Sequence, residues 1–263
     1  MLAVAALAVL VDLGAPSLST AAVDARIQGM FAMQGRITSA ANVRGERKGQ
    51  AIKRTWRFNS RCVRGPCPEV VLHRERSAHH VDTLVLARDG LGSYSGRGRF
   101  YFGLRCAGRV YKHGGEARVR ITVHVTRATA VEGQPFASAI RADYSNPHRI
   151  NHTPCRGSLG RDGARYTGNV DAVPGPPVAG FSSSHPNPVD TTVLFHDQSE
   201  RGAGGAPITS WSWSFGDPSS GEANSATAEN PSHTFSAHGT YTVTLTVTDA
   251  NGLTSTATQQ LSV

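Results

Sequence analysis

Five arginines, Arg57, Arg99, Arg105, Arg118 and Arg120, occupy the outward positions of segments in which apolar residues recur at every second place. On a β-strand such positions share the wet face, so the arginines merge into a cationic surface that attracts and captures polyanions. The simpler reading is a solvated basic surface whose arginine stems cover core edges. Histidine offers two clusters, His79-His80 with Asp82, and His148 with His152. Adjacent strand side chains point to opposite faces, so His79 and His80 chelate together only in a loop, and exposed polar residues are the plainer account. No G-x-S-x-G follows a strand, and serines such as Ser93 and Ser158 read as turn residues. Glu69 and Glu75 flank one strand and read as solvated, so no acid pair for glycoside hydrolysis stands out. No catalytic residue is assigned.

The four cysteines fit an exported chain. Cys62, Cys67, Cys106 and Cys155 are even in number and read as two disulfides. Gly65-Pro66 can turn the chain between the first two, which favours Cys62–Cys67 and Cys106–Cys155. A zinc site is the alternative, but C-x4-C lacks a second close pair. Leu2 to Val11 is apolar throughout, too short to cross a bilayer as a helix and suited to the core of a secretory signal. Small residues at Thr20-Ala21-Ala22 or Val23-Asp24-Ala25 would serve as a cleavage site, giving a signal-like segment over 1–25. No charge precedes Leu2, so either Met1 is not the true start or the segment is a buried amino terminus.

Charge divides the chain. The net charge is +8, yet 26 of the 27 Lys and Arg lie between Arg26 and Arg165, where there are nine acids. From Asp171 onward one cation faces eight acids. Opposite charges imply two domains with different surfaces. Between them Val173-Pro-Gly-Pro-Pro-Val178 is stiff and extended, because proline fixes φ and lacks an N–H. The expected organisation is a basic domain over 26–172, a linker over 173–178 and an acidic domain over 179–263.

Both domains read as all-β. In the basic one, strands are predicted over 27–33, 52–58, 69–74, 82–87, 99–105, 118–126 and 139–144. Val119, Ile121, Val123 and Val125 point inward from one, and Phe100, Phe102 and Leu104 from another. A disulfide-bonded barrel or sandwich of seven or eight strands fits.

The acidic domain shows sharper patterning. Tyr241, Val243, Leu245 and Val247 alternate with threonines, and Asn251-Gly252 suits a type I′ hairpin turn. Trp211, Trp213 and Phe215 share another inward face. Trp213-Ser-Phe215-Gly216-Asp217, then Asn230-Pro231-Ser-His233-Thr234-Phe235, then Gly239 to Asp249, resemble the PKD domain family over about 174–263. The resemblance implies a seven-stranded immunoglobulin-like β-sandwich of secreted and surface proteins, a glycan- or protein-binding module or a spacer. Some relatives bind calcium through carboxylates near strand ends, which points to Asp197 and Asp217; no other cofactor is expected. Two departures from the family pattern are Pro218 after Gly-Asp and the long Ser/Ala/Gly-rich loop before Asn230.

The expected protein is therefore secreted or displayed at the cell surface and non-catalytic. Its expected partners are extracellular glycans, proteins or acidic cell-envelope polymers, with no transmembrane segment in the mature chain. Tyr101 alone interleaves with the arginines, which speaks against a dedicated nucleic-acid partner. The alternative is a secreted hydrolase in which the basic domain is catalytic and the second domain accessory.

Overall fold

The computed structural model describes residues 23–43, 45–77, 80–152, 154–155, 160–184 and 192–263. The apolar segment 2–11 and His79 lie outside them. The basic domain is a closed antiparallel barrel of eight strands: β1 (Gly29–Ala41), β2 (Ala51–Ser60), β3 (Glu69–Ser77), β4 (His80–Gly90), β5 (Ser93–Cys106), β6 (Arg109–Val131), β7 (Gln134–Asn151) and β8 (Arg161–Val170). Each strand pairs with its neighbour in sequence, and β8 returns to β1.

Alternation fills the interior. Phe31, Trp56, Phe58, Leu72, Leu86, Tyr94, Ile121 and Val123 are all fully buried inside. Phe31 and Phe58 meet edge to face at 5.4 Å, and Trp56 packs 5.1 Å from Tyr166. Gly35 lies opposite Tyr166 on the neighbouring strand, and a Cβ there would stand 2.5 Å from the tyrosine ring. The glycine is what lets this ring lie flat across the wall. Toward the other end the lining turns polar. Arg74 bonds Asp82 at 2.7 Å and stacks 4.7 Å from the Tyr144 ring. Arg149 and Asn146 both donate to Asp162.

Three expectations change. The count of eight strands falls within the expected seven or eight, but β8 was not among the predicted segments, and β5 and β6 are much longer than theirs. Asp24 and Ala25, assigned above to the signal-like segment, belong to the barrel: Ala25 is buried, and Asp24 accepts from the Gly92 N–H and pairs with Arg88. The proline-rich linker is docked, with Val178 bridged to Glu200 and the Gly175 N–H bonded to the Ala203 carbonyl.

The second domain is a sandwich of seven strands. One sheet holds β13 (Ser232–Thr234), β10 (Thr192–Asp197) and β9 (Phe181–Ser183), and the other holds β12 (Ser225–Ala226), β11 (Ile208–Ser214), β14 (Thr240–Asp249) and β15 (Thr254–Ser262). Phe181, Phe195, Trp213, Phe215, Val243, Leu245 and Val247 are buried between them. The β14–β15 turn is not type I′. Only Gly252 takes a positive φ, +75°, and the Asp249 carboxylate accepts from the Asn251 and Leu253 N–H groups. The aspartate side chain does the work expected of a left-handed asparagine.

Arg26 joins the domains. Its side chain donates to the carbonyls of Val63, in the Cys62–Cys67 loop, and Asn251, in the β14–β15 turn. Thr254 also donates its N–H to Glu132 at 3.0 Å.

Candidate anion-binding site

The disulfides are Cys62–Cys67 and Cys106–Cys155. The second ties the β5–β6 hairpin tip to the chain beyond β7, and so fixes the three strands that carry the densest charge.

On their outer face the register sets Arg97 directly opposite Arg120, and Arg99 opposite Arg118. Across the next ladder Arg118 faces His148 and Arg120 faces Ser145. Like charges directly opposite on a sheet destabilise it. One acid partly offsets this: Glu116, 4% exposed, takes Arg118 Nε at 2.7 Å and Arg99 Nε at 3.2 Å. The Arg118 hydrogen bond, with both guanidinium charges, holds the Glu116 carboxyl below its usual range. His152 Nε2 stands 3.3 Å from the other carboxylate oxygen, at ion-pair distance but without a hydrogen bond. Among the described residues Arg97 and Arg120 form no ion pair.

The four guanidinium groups and His148 border an open cleft of about 630 Å³. Guanidinium forks bind phosphate, sulfate and carboxylate oxygens two at a time. Four of them on one wall, two lacking a carboxylate, match an anion with several charged oxygens. A smaller cleft of about 410 Å³ lies between β8, β1 and β2, where Arg36 faces Arg165. Here Asp143 accepts from Arg165 Nε at 2.8 Å, so more of the charge is already matched.

Of the five arginines singled out from sequence, the fold brings Arg99, Arg118 and Arg120 together. Arg105 sits farther along β5 at the disulfide-bonded tip, and Arg57 lies away on β2 beside Met30. Sequence reasoning missed Arg97 and Glu116. The alternation Ser93, Ser95, Arg97, Arg99 would have revealed Arg97 had the strand been started earlier.

The two candidate calcium carboxylates lie in the sandwich and already have partners. Asp197 accepts from Trp211 Nε1 at 2.8 Å and from Ser199 Oγ at 2.6 Å. Asp217 accepts from the Ser236 N–H and hydroxyl, lies 3.3 Å from His233 Nε2, and makes no side-chain cap to the turn that follows it. Among the described residues no group of three or more His, Cys, Asp or Glu is placed to hold a metal ion. The Ser236 bonds lower the Asp217 pKa. Its contribution to stability is therefore complete above the ordinary aspartate value of about 4 and is lost as pH falls through the depressed one. Urea midpoints of the sandwich should drop between pH 5 and pH 2, and Asp217→Asn should shrink that drop. An unchanged acid sensitivity would remove Asp217 from this role.

Residues 175–263 match the family model described as PKD domain. Solved structures similar to this chain include two PKD domains. The PKD1 domain of Vibrio anguillarum Epp is 30% identical, with 34% of this chain and 93% of that chain covered and a TM-score of 0.29. The PKD1 domain from the Vibrio cholerae metalloprotease PrtV is also 30% identical, with 34% and 96% covered and a TM-score of 0.29. No curated protein matches the chain. The family match begins within the docked proline segment and runs to the last strand, so the carboxyl-terminal sandwich, residues 175–263, belongs to the PKD domain family.

Proposed function

We propose that the chain is a non-catalytic secreted or cell-surface protein whose barrel holds an anionic partner in the arginine cleft. In this reading the PKD domain is an accessory module that binds glycan or protein, or sets spacing. The carrying observation is the pairing of Arg97 with Arg120 across β5 and β6 with no carboxylate between them. A fold gains nothing from that repulsion, whereas an incoming anion relieves it. Export is supported by the two disulfides, since such bonds persist in oxidising compartments. No helix among the described residues is long and apolar enough to cross a membrane.

Retention on immobilised heparin tests the cleft. The full chain should elute only well above 0.1 M salt, roughly where exposed charges are screened beyond a ~10 Å Debye length. Arg97→Ala with Arg120→Ala should elute earlier and flatten the log–log salt dependence by about one unit per lost contact. Elution with the unbound fraction at low salt would end the proposal.

One observation favours the hydrolase alternative. At the polar end of the barrel Glu46 and Asp162 flank Arg149, and burial followed by the Asp162 charge raises the Glu46 pKa. A carboxyl whose pKa is raised by burial suits a general acid. A substrate screen with the Glu46→Gln variant as control addresses it: turnover lost in the variant would favour the enzyme.

A further inference from the structure

The barrel wall is uneven at β5. Its ladder to β4 consists of Gly90–Ser93, Arg88–Tyr94 and Ala87–Ser95, and stops there. On the other side β5 pairs with β6 all the way from Ser93 to Cys106. From Arg97 to Arg105, therefore, one edge of β5 has no ladder partner among the described residues, although the Leu84 side chain of β4 still approaches Gly98. A Cβ on Gly96 would stand 2.5 Å from the Val85 carbonyl oxygen, so the two chains cross closely at this glycine before they part.

The free edge is long, and its two faces differ. Arg97, Arg99, Tyr101, Gly103 and Arg105 are exposed, while Gly98, Phe100, Phe102 and Leu104 are half-buried toward the inner side. β5 contains no acid. An unpaired edge of this kind presents backbone donors and acceptors to any extended chain that fits beside it. A second copy of β5 does not fit well, because antiparallel self-pairing sets arginine against arginine.

We propose that the edge of β5 between Arg97 and Arg105 takes an extended acidic peptide as an added strand. This rests on the reading of the arginine cleft as an anion site and names its partner. Nine residues at about 3.4 Å each give a docking length of roughly 30 Å. The added strand carries carboxylates at every second position, beside Arg97, Arg99 and Arg105. Its alternate positions are apolar and cover Phe100, Phe102 and Leu104. Backbone bonds give the affinity, and the alternation gives the register.

The test uses the full chain and three labelled ten-residue peptides: alternating Glu and Val, the same composition in two blocks, and the alternating peptide N-methylated at every second amide along one edge. The alternating peptide should bind tightest. N-methylation should weaken it roughly tenfold or more, since several backbone bonds are lost together. Amide exchange over 97–105 should slow when the alternating peptide is bound, and Arg97→Glu should weaken it while leaving circular dichroism unchanged. Equal binding of all three peptides would overturn the added strand and leave a site that reads charge alone. Retention on heparin with no peptide bound would also overturn it, with the arginines then acting as guards against edge pairing, and would leave the anion cleft standing. Failure of both heparin and peptides would remove both readings.

Discussion

Trp213→Ala unfolds the PKD sandwich at temperatures where the parent chain is folded. Trp213 is 1% exposed and lies at the centre of the aromatic core, with ring centroids 5.1 Å from Phe181 and 5.5 Å from Phe195. Its Nε1 donates to the Ala228 carbonyl at 3.0 Å, pinning the loop before β13. Truncation removes the buried ring, leaves a cavity between two sheets that cannot close on it, and strips that carbonyl of its donor. The expected loss is about 3–5 kcal/mol. Domains hold only about 5–15 kcal/mol in total, so a melting transition should fall by on the order of 20 °C. Trp211 is the internal comparison, because it is only half-buried and its ring nitrogen reaches Asp197 at the sheet margin. Calorimetry of both variants decides the matter. A Trp213→Ala transition within a few degrees of the parent would mean that this ring is not the keystone of the core.

Asp82→Ala should damage the barrel to a similar extent, for an electrostatic reason. Arg74 and Asp82 face each other across β3 and β4, bonded at 2.7 Å, with side chains only 7% and 4% exposed. The guanidinium lies over the rings of Tyr144 at 4.7 Å and Phe100 at 5.7 Å. A carboxylate removed from such a pair leaves a charge in a place poor in water. Breaking a buried pair on one side costs about 3–5 kcal/mol, whereas apolar residues in place of both partners are often neutral. Asp82→Ala should thus lower the urea midpoint of the barrel strongly. Arg74→Met with Asp82→Leu should recover most of the loss. If the double variant is no better than the single one, the damage comes from lost packing and not from a stranded cation.

The two predictions differ in how visible their residues were beforehand. Trp213 was marked as core by alternation alone, since Trp211, Trp213 and Phe215 fall at every second place in a strand. Asp82 was noted only beside His79 and His80, and its inward direction opposite an arginine needed the β3–β4 register. β8 was missed for a related reason. Its inward residues are Asp162, Ala164, Tyr166, Gly168 and Val170, too small and polar to show as an apolar stripe. That strand closes the barrel through pairing with β1 and β7, a property of the closed sheet that no single window of residues carries.

The sequence by itself determined the all-β class, the favoured cysteine pairs, the opposite charge of the two halves and the PKD character of the carboxyl-terminal one. These follow from local rules: period-two alternation, turn residues, and cysteine number and spacing. Tertiary structure alone decided that eight strands close on themselves, and that Arg97 faces Arg120 while Arg57 lies apart. It also decided that, among the described residues, one edge of β5 runs on past Ser95 without a ladder partner. Strand register brings residues tens of positions apart into contact, and a shift of one residue would turn every side chain to the other face. Alternation says which side chains share a face. Only pairing says which charges meet on it.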